Sequence, residues 1–123
     1  MSKIENSVNY YNHPDDSGFV VASVKIEGNR TYPIQDFLRG DIQIGKESCS
    51  DWLNHVMKAQ QAPDYFYDSF GNCCTTTITH QGVTIDNEYT EYIAKDIKLD
   101  DMKIILEKWL EFITTREPIE YSW

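Results

Sequence analysis

The sequence lacks any long apolar run. No segment approaches the roughly 20 apolar residues that a membrane span requires, and residues 1–16 contain no apolar stretch of signal-peptide length. The chain also has no internal repeat, no low-complexity tract and no linker rich in Gly, Ser or Pro. We therefore expect residues 1–123 to form a single cytoplasmic domain that does not bind a membrane.

Basic residues are scarce. The chain has 11 Lys and Arg against 20 Asp and Glu, and its formal net charge is -9. Because nucleic-acid affinity comes mainly from Lys and Arg that neutralise phosphates, this balance argues against direct binding of DNA or RNA. A basic protein partner suits the charge better, since complementary fields steer association. An acidic composition is, however, also common among cytoplasmic proteins.

Lys and Arg are absent altogether between Lys58 and Lys95. The acids in that interval are Asp64, Asp68, Asp86, Glu88 and Glu91. The interval also contains the aromatic segment 64–70, DYFYDSF. An acidic segment with several aromatic side chains suits the binding of a cationic protein.

Signatures of nucleotide binding and catalysis are also missing. The sequence has no G-x-G-x-x-G, no phosphate-binding loop and no G-x-S-x-G elbow. The acid pairs Asp15-Asp16 and Asp100-Asp101 are better explained by a solvated loop and by the start of a helix, where the macrodipole favours acids. We therefore expect neither enzymatic activity nor a cofactor.

Three cysteines and three histidines raise the question of a metal site. A structural zinc site needs four ligands, commonly in pairs separated by two to four residues. Cys73 and Cys74 are adjacent, and adjacent side chains on a strand point to opposite faces. His80 would lie roughly 20 Å along the same strand from Cys74. A vicinal disulfide would be strained, so we expect no metal and interpret the cysteines as small buried hydrophobes.

Alternating apolar residues and turn signals predict the strands. Residues 18–27 alternate clearly, and together with a weaker segment at 4–11 they predict a hairpin joined by a loop at 12–18. The later segments predict an antiparallel meander with strands at about 65–70, 73–80 and 83–89, and residues 93–99 form either a fourth strand or an approach loop. The C-terminal residues Tyr121 and Trp123 favour docking of the tail as an edge strand.

Three helices are predicted between and after these strands. A short helix begins near Pro33 and ends at Gly40. A second begins at about Ser48 or Ser50 and ends at Gln60, and its apolar stripe consists of Trp52, Leu53, Val56 and Met57. The third covers about 100–115. Its apolar stripe has helical spacing and consists of Met102, Ile105, Leu106, Trp109, Leu110 and Ile113. The predicted fold is α+β, with an antiparallel sheet of about five strands packed against helices.

The acidic interval supplies the candidate partner-binding residues. If 65–70 is a strand, Tyr65 and Tyr67 point one way while Phe66, Asp68 and Phe70 point the other. The two tyrosines either face outward as interface anchors or cover the edge of the sheet or the underside of the C-terminal helix. The candidate binding residues are Asp64, Tyr65, Tyr67, Asp68, Asp86, Glu88 and Glu91.

Residues 97–113, IKLDDMKIILEKWLEFI, resemble the closing strand-to-helix segment of small immunity proteins from bacterial polymorphic-toxin and contact-dependent growth inhibition systems. The resemblance covers those residues together with the size and acidity of the chain. It implies a cytoplasmic antitoxin that binds a cognate toxin protein, often a basic nuclease domain, over or beside its active site.

Two other function classes stay open at this point. A small-molecule or peptide-binding module would need a pocket between sheet and helix. An enzyme or accessory subunit would use Cys74, His80 or the acid pairs. The sequence specifies neither the toxin nor the oligomeric state.

Overall fold

A computed structural model describes residues 7–14, 20–27 and 31–122. In chain order its elements are β1 (Ser7–Pro14), β2 (Val20–Glu27), α1 (Thr31–Asp36), a π-helical segment (Phe37–Ile42), α2 (Lys46–Gln61), β3 (Phe66–Phe70), β4 (Cys74–Thr79), β5 (Gly82–Asn87), β6 (Ile93–Ile97), α3 (Leu99–Thr115) and β7 (Ile119–Ser122). The α+β class is confirmed. Within the described ranges the strands form two antiparallel sheets, so the expected single sheet of about five strands is only roughly matched.

The larger sheet is the predicted meander, with strand order β3-β4-β5-β6. Along β4, Cys74, Thr76 and Ile78 are buried while the alternate threonines are partly exposed, as the two-residue period of a strand requires. Gly82 begins β5 with φ +146°, and a Cβ there would lie 2.6 Å from the Ile97 carbonyl oxygen. Only glycine permits this close approach of β5 to the end of β6.

The smaller sheet has the order β2-β1-β7. The hairpin between β1 and β2 is confirmed, with Ser7 opposite Glu27 and Pro14 opposite Val20. The predicted joining loop began too early, because β1 extends to Pro14. Residues 15–18 of that loop, residues 4–6 of the first predicted strand and residues 18–19 of the second lie outside the described part of the chain. The C-terminal tail does pair with β1 as β7, whereas Trp123 is not described.

Helix α3 supplies much of the core, and its predicted stripe is confirmed with two differences. Phe112 is fully buried although the predicted stripe omitted it, and Leu110 is only partly buried. Trp109 is also fully buried, and its indole Nε1 donates a hydrogen bond to the Gln43 carbonyl at 2.9 Å. Tyr10 on β1 donates to the Ile105 carbonyl at 3.1 Å, which ties the smaller sheet to this helix.

Helix α2 packs against α3, and its apolar stripe differs from the prediction. Val56 is fully buried, but Met57 is 43% exposed. The predicted stripe omitted Cys49 and Ala59, which are both fully buried; the burial of Cys49 agrees with the expectation for the cysteines. The Cys49 thiol donates to the Leu106 carbonyl at 3.4 Å, which places this small side chain in the contact between α2 and α3.

The prediction that the first helix ends at Gly40 is wrong. The helix continues as a π-helical turn in which the Gln43 amide donates to the Leu38 carbonyl, five residues earlier, at 2.8 Å. The wider turn keeps Phe37, Leu38 and Ile42 in the core, and Gln43 ends it at φ 57°. Such turns are rare and frequently lie at functional sites.

No helix in the described ranges combines the length and the apolar character that a membrane crossing needs.

Candidate protein-binding face

One face of the larger sheet packs on the helices. The other face is not buried by any element in the described part of the chain. Cross-strand pairing aligns Phe66 with Thr79, Asp68 with Thr77 and Thr84, and Phe70 with Thr75, Asp86 and Ile93. We define these nine residues as the open face; all are exposed or partly exposed. On β4 and β5, the residues that alternate with these are buried and form the side of the sheet that the helices cover.

Apolar side chains on the open face are unusually exposed. Phe66 is 65% exposed and Phe70 is 57% exposed, and Ile93 joins them on β6. Burying the exposed part of each phenylalanine ring would contribute on the order of 1–2 kcal/mol. Exposed aromatic rings at two ends of one strand are therefore plausible anchors for a partner.

Acidic groups lie among these rings. Asp68 and Asp86 belong to the open face, and Glu88 follows directly after β5. The Thr75 hydroxyl donates to Glu88 Oε1 at 2.6 Å, which holds that carboxylate at the end of the face. Because residues 59–94 include no Lys or Arg, strands β3 to β5 contribute only negative formal charge to this surface.

The outward placement of Tyr65 and Tyr67 is wrong. Tyr67 points to the other side of β3, where its ring stacks on His55 with centroids 3.7 Å apart and meets Trp52 at 5.5 Å. The Tyr65 hydroxyl lies 2.5 Å from His55 Nδ1. Both tyrosines are half-buried between edge strand β3 and helix α2, which excludes them from the open face and from the underside of α3.

The remaining predicted residues lie around the open face. Asp64 is exposed in the turn before β3, and Glu91 is exposed in the connection between β5 and β6. That connection also carries Tyr89, which is 74% exposed, and Tyr92, which is 49% exposed. The interval 64–91 therefore does not form a single face, although Asp68, Asp86 and Glu88 do come together.

Sequence reasoning missed Phe66 and Phe70 as surface residues. Their strand alternation with Asp68 was visible, and an acid on the same side as two phenylalanines was the available signal. A carboxylate is seldom buried without a partner, so the acid marks the solvent side. Phenylalanine is usually a core residue, and that expectation favoured the wrong side of β3.

A cleft between α2 and β3 is a second candidate site. It has a volume of about 320 Å³ and is lined by Ser48, Asp51, Trp52, Asn54, His55, Lys58, Tyr67 and Ser69. Partial burial lowers the pKa of His55, Lys58 lowers it further, and Asp51 opposes the shift. A neutral imidazole stacked on a tyrosine beside a cleft of this size could contact a small polar ligand.

The two adjacent cysteines do not point apart. Cys73 precedes the first residue of β4, so strand alternation does not govern it, and the two Sγ atoms are 3.4 Å apart. Cys73 Sγ also lies 3.5 Å from Asp41 Oδ1. The geometric argument against a shared ion is therefore wrong. Burial raises the pKa of both thiols, and Cys74 is a fully buried small side chain, as expected.

The His80 side chain forms a hydrogen bond to the backbone of α2 and not to either cysteine. Its Nδ1 donates to the Ala59 carbonyl at 2.7 Å, at the end of α2. The Cys74 thiol is instead directed toward the Pro33 carbonyl at 4.0 Å. The two residues that an enzyme hypothesis would combine thus have separate partners.

Comparison of the chain with protein-family models, with curated proteins and with solved structures finds no match.

Proposed function

We propose that this protein is a cytoplasmic immunity protein of a bacterial toxin system, which binds a cognate basic toxin domain and neutralises it without catalytic activity of its own. The observation that carries the proposal is the open face, where exposed Phe66 and Phe70 stand beside Asp68 and Asp86. An antitoxin needs such a surface, because it must recognise one protein tightly and specifically.

Charge supports a basic toxin as the partner. A nuclease domain binds phosphates through Lys and Arg, and the carboxylates of the open face would occupy the positions of those phosphates. Complementary charge accelerates the encounter and disfavours other partners. The aromatic rings would supply most of the affinity, since buried aromatic anchors commonly dominate an interface.

The size of the open face indicates that the interface extends beyond it. Four strands about 4.8 Å apart and six residues long cover about 14 Å by 20 Å, on the order of 300 Å². A stable interface buries roughly 800 Å² on each partner. The connection between β5 and β6, with exposed Tyr89, Glu91 and Tyr92, adjoins the face and would add to the buried area.

The proposal predicts that the neighbouring gene encodes a protein with a toxin-like C-terminal domain, and the experiment uses that domain as the binding partner. We expect a complex of nanomolar or higher affinity whose association rate falls as salt rises. The double variant Phe66→Ala/Asp68→Asn should weaken binding by at least about 30-fold, the equivalent of one interface hot spot, while its circular dichroism spectrum stays unchanged.

A matched control variant removes one exposed apolar side chain and one exposed carboxylate at positions outside the open face. Ile104→Ala/Glu107→Gln changes an exposed isoleucine and an exposed acid on α3 and should leave the affinity unchanged. The proposal fails if the neighbouring gene encodes no toxin-like domain, or if that domain does not bind. Wild-type affinity in the Phe66→Ala/Asp68→Asn variant would instead reject the open face as the binding surface.

The cleft beside His55 supports a small-molecule-binding module as the second candidate. Its lining combines five polar side chains of α2 with the rings of Trp52 and Tyr67. On this alternative, a metabolite would raise the melting temperature of the wild type but not of His55→Ala. The open-face double variant would keep that response, which separates the two functions.

A further inference from the structure

Three side chains of types that bind metals converge at the end of the larger sheet where β4 begins. Cys73 and Cys74 approach from the start of β4, and Asp41 approaches from the π-helical segment. Their candidate ligand atoms all lie within 4.8 Å of one another. Asp41 and Cys73 are 32 positions apart in the chain, so the cluster results from the tertiary fold.

We propose that Cys73, Cys74 and Asp41 bind one Zn²⁺ ion in a site with three protein ligands. The distances support this arrangement. In a tetrahedral zinc site, bonds of about 2.3 Å to sulfur and about 2.1 Å to oxygen place two sulfurs about 3.8 Å apart and a sulfur and an oxygen about 3.6 Å apart. The protein has 3.4 Å between the two Sγ atoms and 3.5 Å between Cys73 Sγ and Asp41 Oδ1.

The ligand types select zinc among the common metals. Two thiolates exclude Mg²⁺ and Ca²⁺, which take oxygen ligands, whereas a carboxylate is a poor ligand for Cu⁺. Zn²⁺ accepts both sulfur and carboxylate oxygen in tetrahedral geometry. Binding displaces one proton from each thiol, and the dication offsets two of the three negative charges of the two thiolates and the carboxylate.

Neighbouring groups hold the cluster in place. The Cys73 amide donates to Asp41 Oδ1 at 2.9 Å, which orients the carboxylate, and metal ligands typically have such supporting bonds. The Asn87 side chain donates to Asp36 Oδ2 at 2.7 Å and ties the start of the π-helical turn to β5.

Two glycines leave the space that the cluster occupies. A Cβ at Gly71 would lie 2.5 Å from Asp41 Cγ, and a Cβ at Gly40 would lie 3.0 Å from Cys73 Sγ. A larger residue at either position would displace a ligand.

The site would have one open coordination position. Cys73 and Asp41 are partly exposed, whereas Cys74 is buried, so solvent can reach the fourth position of the ion. The ion would cross-link the π-helical segment to the turn before β4. It would therefore stabilise the end of the open face nearest to Phe70, independently of any toxin.

The test uses the isolated full-length protein, kept reduced and stripped of metal with a chelator. We expect one Zn²⁺ per chain in a titration against a chromophoric chelator. Replacement by Co²⁺ should give the intense near-ultraviolet bands of thiolate-to-cobalt charge transfer together with the visible bands of tetrahedral cobalt. Zinc should also raise the melting temperature, because the ion binds the folded state.

Three variants and two controls decide the outcome. Cys73→Ser and Asp41→Asn should each weaken zinc binding by at least about 10-fold, and Cys73→Ser should lose charge-transfer intensity. Cys49→Ser removes a buried thiol elsewhere, and Asp68→Asn removes an exposed acid; both should bind zinc like the wild type. If Cys74→Ser does not fold, Cys73→Ser and Asp41→Asn still carry the test.

Two results would overturn the zinc site. One is a wild-type cobalt complex without charge-transfer bands, which would mean that surface carboxylates alone bind the metal. The other is equal zinc affinity in Cys73→Ser, Asp41→Asn and the wild type.

Discussion

The imidazole of His55 stacks on the ring of Tyr67, with centroids 3.7 Å apart and planes within 9° of parallel. This contact joins α2 to the edge strand β3 and lies on the side of β3 that the helix covers. Phe66 and Phe70 face solvent because Tyr67, between them on the strand, faces the helix.

The first prediction compares the two sides of β3. Tyr67→Ala should lower the free energy of unfolding by about 2 kcal/mol, because it removes a half-buried ring that contacts both His55 and Trp52. Phe66→Ala should change it by less than about 0.5 kcal/mol, since surface substitutions away from packed features have small effects. Urea denaturation of both variants measures the difference. Equal losses would contradict the assignment of the two sides.

The second prediction concerns Thr76. Its hydroxyl is buried on the helix-covered side of β4 and has no hydrogen-bond partner among the described residues. Thr76→Val keeps the shape of the side chain and removes the unsatisfied hydroxyl, so it should raise the free energy of unfolding by about 1 kcal/mol. Thr77→Val, at a partly exposed position of the same strand, is the control and should be nearly neutral. A destabilised Thr76→Val protein would indicate that the hydroxyl has a partner.

The third prediction concerns pH. Burial lowers the pKa of His55 below its ordinary value of 6.5, so the unfolded chain binds a proton at this residue more readily than the folded protein does. The contribution of His55 to stability is therefore complete above about pH 6.5 and falls as pH decreases below that value. His55→Phe should show a smaller loss of melting temperature between pH 7 and pH 5 than the wild type. An unchanged pH dependence in His55→Phe would reject the assignment.

The fourth prediction concerns thiol reactivity in the metal-free protein. Burial raises the pKa of Cys49 to about 12 and raises that of Cys74 still further, so neither thiol should react readily. Cys73 is partly exposed and should be alkylated first, although its raised pKa makes it slower than an ordinary surface thiol. Peptide mass spectrometry after timed iodoacetamide treatment measures the order. Early modification of Cys49 would contradict the packing of α2 on α3.

The regular elements could be predicted because their signals are local. The stripe of α3 recurs at three and four residues, and the turn residues around Gly71 and Gly82 separate the strands of the meander. The division into two sheets could not be predicted, because β7 pairs with β1 across almost the whole chain. Strand alternation identifies the residues that share a side, but it contains no information about the neighbouring strand.

The candidate sites were predicted less well, for a related reason. Asp68, Asp86 and Glu88 do lie together, since the antiparallel pairing of β3, β4 and β5 follows from their order. The proximity of Cys73 to Cys74 depended on where β4 begins, and a difference of one residue reversed the conclusion. Asp41 could not be associated with them from the sequence, because a π-helical turn directs it toward the cysteines.

The sequence by itself determined the acidic charge, the types of the main elements and the sets of side chains that share a strand side or a helix stripe. These properties follow from composition and from the fixed periods of strand and helix. The tertiary structure alone decided that α2 covers Tyr67 and leaves Phe66 and Phe70 exposed, and that Asp41 meets the two thiols. Such contacts depend on how distant elements pack to bury their apolar sides, and no local period in the chain specifies that packing.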